Sequence, residues 1–260
     1  MDEVWTVRAG RVAYEAARAA QKRLEAARQA GEVPDVLLLL EHPPVYTKGR
    51  RSTADELPMG EDWYRLRGIE VRETDRGGRV TYHGPGQLVG YPIVSLKPYG
   101  GDVHDYIRRM ERMIIAALAD WGVRGGVIDG LTGVWTDGTQ PDAGVSEGTG
   151  LAAPEAKKIG SIGVHVNRGV TTHGFAINVD NDLEPFEWIV PCGIEACRMT
   201  SLARELGEPQ DLDEFATAVA DRFAEIYGRA AVEVDAGELA AAVPGTEAIG
   251  TGVRGATVGA

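Results

Sequence analysis

Lys158-Ile-Gly-Ser-Ile-Gly-Val-His-Val-Asn167, followed by Arg168-Gly169 and, after Val170, by Thr171-Thr-His-Gly-Phe-Ala-Ile-Asn-Val179, decides the fold. Both flanks alternate as strands do, and Arg168-Gly169 offers a tight turn between them. The stretch therefore reads as an antiparallel pair. Elsewhere strands and helices interleave, so the reading is α+β: a mixed sheet covered by helices.

Working outward, Val36 to Leu40 is a short apolar run suited to a core strand, and the double proline of Glu41-His-Pro-Pro-Val-Tyr-Thr47 excludes helix interior there. Val12 to Ala30 places Val12, Ala16, Ala20, Leu24 and Ala27 at helical spacing, with Gly31 to end the helix. Ile69 to Thr74 alternates like a half-buried strand, and Gln87 to Val94 is another strand candidate. Asp102 can cap a helix over Val103 to Trp121 whose one face holds Val103, Tyr106, Ile107, Met110, Ile114 and Leu118. Leu131 to Thr136 reads as a short strand, Thr200-Ser201 as the cap of a short helix, and Leu212 to Tyr227 as a third long helix. One domain is expected over residues 1–243. Within it 137–156 reads as an exposed loop, and the Gly/Thr/Ala-rich 244–260 as a poorly ordered tail.

A 260-residue chain with net charge −12 is a poor candidate for broad nucleic-acid binding. No stretch approaches the roughly 20 apolar residues that a membrane span needs, and no signal peptide is readable. A cytoplasmic protein is expected. Two cysteines, Cys192 and Cys197, make no disulfide framework. His83, His165 and His173 lack metal-ligand spacing, so no metal is expected. Lys48, Arg50, Arg51, Arg72, Arg76 and Arg79 form either a local basic patch or solvated surface.

Four segments carry chemistry. In Arg76-Gly-Gly-Arg-Val-Thr-Tyr-His-Gly-Pro-Gly-Gln87, paired glycines allow a ligand to approach the backbone, and His83 at a stiff turn either stands on the rim or floor of a pocket or simply caps the turn. This is neither a Rossmann fingerprint nor a phosphate loop. Lys158 stands among apolar neighbours, where a buried ammonium requires a partner; otherwise it is simply exposed with Lys157. Gly160 and Gly163 allow close backbone approach, so the amides of Ser161 to Gly163 can bind a carbonyl oxygen. His173 precedes a glycine in an apolar strand and is either a hydrogen-bonded core residue or part of a site. Pro191 and Gly193 fix the backbone about Cys192, while Cys197 fits a structural thiol. A cation lowers a thiol's pKa from ~8.5, so Lys158 and Cys192, if they meet, form an acyl-accepting pair.

Arg76-Gly-Gly-x-x-Thr-x-His-Gly-Pro-Gly-Gln87, Lys158-x-x-Ser-x-Gly163, His173-Gly-x-Ala-x-Asn178 and Pro191-Cys-Gly193 resemble, in that order, the motifs of the octanoyl-[acyl carrier protein]:protein N-octanoyltransferases, the lipoyl(octanoyl) transferase family. The resemblance runs from about Leu37 to Leu206. It implies a fold similar to the catalytic domains of biotin and lipoate protein ligases. It implies Cys192 as the acyl-thioester residue and Lys158 as its partner. It places substrate against Arg76, Gly77, Gly78, Arg79, Val80, Thr81, Tyr82 and His83, against Ser161, Ile162 and Gly163, and against His173, Gly174, Phe175 and Ala176. The implied partners are octanoyl-acyl carrier protein and the apo lipoyl domains of 2-oxoacid dehydrogenase complexes and of glycine cleavage H protein. A monomer without cofactor is implied as well. Rival readings are an ATP-dependent lipoate or biotin ligase, a cysteine thioesterase, and a non-catalytic carrier- or lipid-binding module.

Overall fold

A computed structural model describes residues 3–136, 156–190 and 197–250. In chain order the strands are β1 (Glu3–Arg11), β2 (Asp35–Glu41), β3 (Val45–Lys48), β4 (Glu70–Glu73), β5 (Thr81–His83) and β6 (Gln87–Ile93), then β7 (Gly126–Ile128), β8 (Leu131–Thr136), β9 (Lys157–Asn167), β10 (Val170–Asn178), β11 (Arg198–Met199) and β12 (Ala230–Glu233). The helices are α1 (Tyr14–Ala30), α2 (Glu61–Arg65), α3 (Val103–Asp120), α4 (Glu184–Glu187), α5 (Leu202–Leu206), α6 (Leu212–Tyr227) and α7 (Ala236–Ala242).

Nine strands form a mixed sheet in the order β12-β1-β2-β6-β10-β9-β8-β7, with β11 beside β9. β1 lies parallel to β2 and β12, whereas β2, β6, β10, β9, β8 and β7 pair antiparallel in succession. A second sheet, β4-β3-β5, stands apart from this path. Alternation along β2 sends Val36, Leu38 and Leu40 to one core with α1, and Leu37 and Leu39 to the other with α3 and α6. Being covered on both faces, β2 is a continuous apolar run rather than an alternating one. The small sheet has its own core of Tyr46, Tyr64, Tyr82, Phe186 and Ile189.

The antiparallel pair forms as its sequence predicts. Arg168 and Gly169 both take positive φ (48° and 76°), the requirement of a two-residue turn that follows the twist of its strands. Helix ends also follow the sequence. The Asp102 carboxylate accepts from His104 N at 2.7 Å, that of Asp211 accepts from Asp213 N and Glu214 N, and Ser201 Oγ accepts from Arg204 N.

Three expectations change. The first helix begins at Tyr14, because Val12 N donates to Glu41 O and holds that residue beside the end of β2. Ala156, expected in an exposed loop, is buried against Trp135; residues 137–155 lie outside the described residues. The tail expected to be disordered from residue 244 is ordered through Gly250, since Thr246 and Ile249 are fully buried and Ile249 joins the core under α1. Residues 251–260 lie outside the described residues.

Candidate active site

The site grows from a gap at the edge of β9. Strand β8 reaches β9 only as far as Gly160, opposite Val134. At Val164 the Arg76 loop takes over, with Gly77 N donating to Val164 O at 2.9 Å. Backbone groups of an antiparallel strand alternate in direction, so Ile162, two residues before Val164, directs its N–H and C=O into the gap between these two neighbours. A cavity of about 490 Å³ opens there, within the range of small-molecule sites. Its walls come from β9 (Ser161–Val164), from β10 (His173–Ala176), from the Arg76 loop and β5, and from α3 through Val103 and Ile107. The glycines are steric requirements. A Cβ on Gly163 would lie 3.0 Å from Gly77 O, and one on Gly174 only 2.3 Å from Gly90 O.

Lys158 forms one end of the cavity. The strand period separates it from Lys157: Lys157 is 37% exposed and pairs with Glu205, whereas Lys158 is 2% exposed. Its Nζ donates to Thr132 O at 3.3 Å and lies 4.8 Å from the centre of the Trp135 ring, so a carbonyl dipole and a π face replace part of its hydration. Gly133 permits this geometry. At φ 130° it lets β8 cross the lysine stem, where a Cβ would fall 2.9 Å from Lys158 Cε. Glu111 accepts from Gly133 N at 3.1 Å; burial pushes its carboxyl up, against the opposing pull of Arg108 and Lys158.

A hydrogen-bond chain joins three of the motifs. Arg76 Nη2 donates to Thr47 O at 2.5 Å and to Thr47 Oγ1 at 2.8 Å, and Thr47 Oγ1 meets His83 Nε2 at 3.4 Å. His83 Nδ1 meets Gln87 Oε1 at 2.7 Å, so that nitrogen carries the proton. Gln87 donates to Asn178 Oδ1, Asn178 donates to Thr200 O, and Thr200 N donates to Lys158 O. Burial, followed by the neighbouring His42, pushes the His83 pKa down to about 3, so its ring is neutral near pH 7. His42 itself donates to Val12 O, a pure acceptor, and accepts from Tyr91 OH at 2.7 Å; burial lowers it to about 4. Both histidines act as neutral connectors.

The structure brings together Lys158, Arg76, Gly77, Gly78, Arg79, Thr81, His83, Ser161, Ile162, Gly163, His173, Gly174, Phe175 and Ala176 around the cavity. Val80 and Tyr82 are a correction. Alternation along β5 turns Tyr82, and Val80 just before the strand, away from the cavity into the core of the small sheet, with Tyr46 and Phe186. Cys192 falls outside the described residues, as do all of 191–196. Cys197 is partly buried, with Sγ 3.8 Å from Met199 Sδ. The six-residue basic patch does not form as such: Lys48 pairs with Glu61 and Glu73, Arg72 with Glu70 and Arg79 with Glu56, and Arg76 is buried. Tyr14, Tyr91, Val103, Ile107 and the Gly130–Thr132 turn also line the cavity and were not anticipated. Among the described residues no His, Cys, Asp and Glu are grouped to hold a metal ion, and no helix is long and apolar enough to cross a membrane.

Residues 13–224 match the lipoyl protein ligase A/B catalytic domain family. The chain is 46% identical over 214 residues to an octanoyltransferase of Geobacter metallireducens (82% of this chain, 89% of the relative). It is 47% identical over 215 residues to one of Mycobacterium avium (82% and 83%). It is 44% identical over 227 residues to one of Myxococcus xanthus, covering 87% of this chain but spanning only 60% of that protein. Among solved structures, a bipartite lipoate protein ligase of Thermoplasma acidophilum superposes with a TM-score of 0.69 at 16% identity, covering 96% of this chain and 91% of that one. Lipoate-protein ligase A bound with ATP gives 0.67 at 15% identity, covering 95% and 92%. At such identities the likeness is one of fold, and it bears out the expected mixed sheet covered by helices.

Proposed function

Because the chain belongs to the lipoyl protein ligase A/B catalytic domain family, we propose that it transfers an octanoyl group from octanoyl-acyl carrier protein, through a thioester on Cys192, to a lysine of an apo lipoyl domain. The observation that carries this reading is a lysine, Lys158, buried in the wall of a cavity of acyl size. The chain rejoins the sheet beside it after the Cys192 segment: Arg198 pairs with Lys157, and Met199 with Lys158.

The chemistry follows. Lys158 as a cation lowers the Cys192 pKa, and the thiolate attacks the thioester carbonyl carbon. The oxyanion that develops accepts from an edge amide, for which Ile162 N–H has the right direction. The C–S bond to the carrier breaks, and the departing thiolate takes a proton from Lys158. An acceptor lysine, entering as a neutral amine, then attacks the Cys192 thioester. Its proton passes to Lys158 as the amide forms, and Cys192 leaves as the thiolate, which restores the starting state. A thioester is already activated, so no nucleotide is consumed. Donor and acceptor proteins act in turn on one monomer.

The test is octanoyl transfer from octanoyl-acyl carrier protein to an apo lipoyl domain without ATP, followed with wild type and Lys158→Ala. Transfer without ATP, with the pH profile of Cys192 alkylation moved upward in Lys158→Ala, is expected. Transfer only with ATP and free octanoate, or an unmoved profile, contradicts the reading.

A further inference from the structure

At the end of the cavity away from Lys158, one residue has a backbone that its side chain disfavours. His173 lies inside β10, opposite Val164, yet takes φ +56°. For a residue other than glycine, asparagine or aspartate this costs on the order of 1–2 kcal/mol. The strain turns the His173 amide out of the ladder and onto Gln21 Oε1 of α1 at 2.7 Å. It also holds the buried imidazole with Nε2 2.8 Å from Asp75 Oδ1. Asp75 immediately precedes Arg76-Gly77-Gly78, the loop that closes the cavity over the open edge of β9. Gly77 N donates to Val164 O there and ties the loop to the sheet.

We propose that Asp75 and His173 are positioning residues, a latch that fixes the Arg76–Gly78 wall against β9 and β10 so that the acyl donor finds the cavity already formed. The proposal rests on the cavity being the acyl site. The other oxygen of Asp75 faces Lys22 Nζ at 3.2 Å and His165 Nε2 at 4.0 Å, while Tyr91 stands edge-on to the His173 ring and Arg76 lies nearby. The Lys22 pair is solvent-exposed and weak, so the imidazole is the partner that matters. The histidine is kept neutral by burial, which pushes its pKa down against the pull of Asp75, and Asp75 is held well below the usual carboxylate range, chiefly by the His173 hydrogen bond. Nε2–H therefore donates to an ionised carboxylate, the stronger kind of hydrogen bond.

The experiment is steady-state transfer with octanoyl-acyl carrier protein in Asp75→Ala, His173→Asn and the double variant. Asparagine tolerates the left-handed backbone but does not reach Asp75, so it separates the bond from the strain. Each single variant is expected to raise KM for the donor about tenfold with kcat within about twofold, and the double variant is expected to be no worse than either single. Unchanged KM with a lowered Tm, or effects that multiply in the double variant, overturns the latch. Ser161→Phe, which adds bulk at a cavity-lining position two residues along β9 from the contact between Gly163 and the Arg76–Gly78 wall, is the control. If it leaves donor KM unchanged, the acyl-site reading fails and the latch falls with it. If it blocks the donor while Asp75→Ala does not, the latch alone fails.

Discussion

Gly133→Ala tests the link between a backbone conformation and the lysine proposed to act in transfer, because it touches Lys158 without removing it. Gly133 sits at φ 130°, which alanine disfavours, and the new Cβ would meet Gly160 O at 2.6 Å and Lys158 Cε at 2.9 Å. Backbone strain of ~1–3 kcal/mol and overpacking of similar size sum to about 4 kcal/mol. At ~2–4 °C per kcal/mol, this lowers Tm by roughly 8–16 °C. The relief available is to push Lys158 aside, and a displacement of ~1 Å at a reacting centre costs about a hundredfold in rate. Calorimetry gives the first quantity; octanoyl transfer well below the new Tm gives the second. A variant that melts with wild type and transfers at the wild-type rate would refute the reasoning, since it would mean that β8 does not press on the lysine.

Three further outcomes are expected. The depressed pKa values of His42 (about 4) and His83 (about 3) mean that the unfolded chain binds more protons than the folded one below its own histidine pKa of about 6.5. Stability is therefore full above that pH and declines as pH falls toward the folded values; a Tm that stays flat from about pH 7 to 5 would contradict this, because carboxylates titrate little in that interval. Asp211→Ala removes the acceptor for two amides at the start of α6 and should cost about 1 kcal/mol with transfer unchanged, read by urea titration alongside the transfer assay. Gly174→Ala, whose Cβ would fall 2.3 Å from Gly90 O, should force β10 away from β6 and lose both stability and donor binding; full retention of both would show that the strands are not held at that spacing.

What was legible in the sequence was whatever depended on local period or local chemistry. The alternation of β9 and β10, the apolar run of β2 and the faces of α3 and α6 each decide their own structure. The motif residues that line the cavity are those on the right face of their strands. Val80 and Tyr82 do not line it, because a contiguous motif read as a pocket ignores that every second residue along and just before β5 points the other way. β1 was missed because Arg8, Gly10 and Arg11 break up its apolar pattern, although it pairs in parallel on both sides. Tyr14, Tyr91 and Ile107 reach the cavity from α1, β6 and α3, and nothing near them in sequence marks that convergence. The order in 244–250 comes from one isoleucine and one threonine buried by distant elements, which composition does not reveal.

The most direct test of the account is intact mass spectrometry of the protein after mixing with octanoyl-acyl carrier protein, with Cys192→Ala in parallel. The account predicts one added octanoyl group on wild type, none on the variant, and its disappearance when an apo lipoyl domain is added. An unmodified wild-type protein that still octanoylates the domain, or a Cys192→Ala variant that keeps more than about a tenth of wild-type transfer, would contradict it, since a nucleophile that forms the intermediate cannot be dispensable.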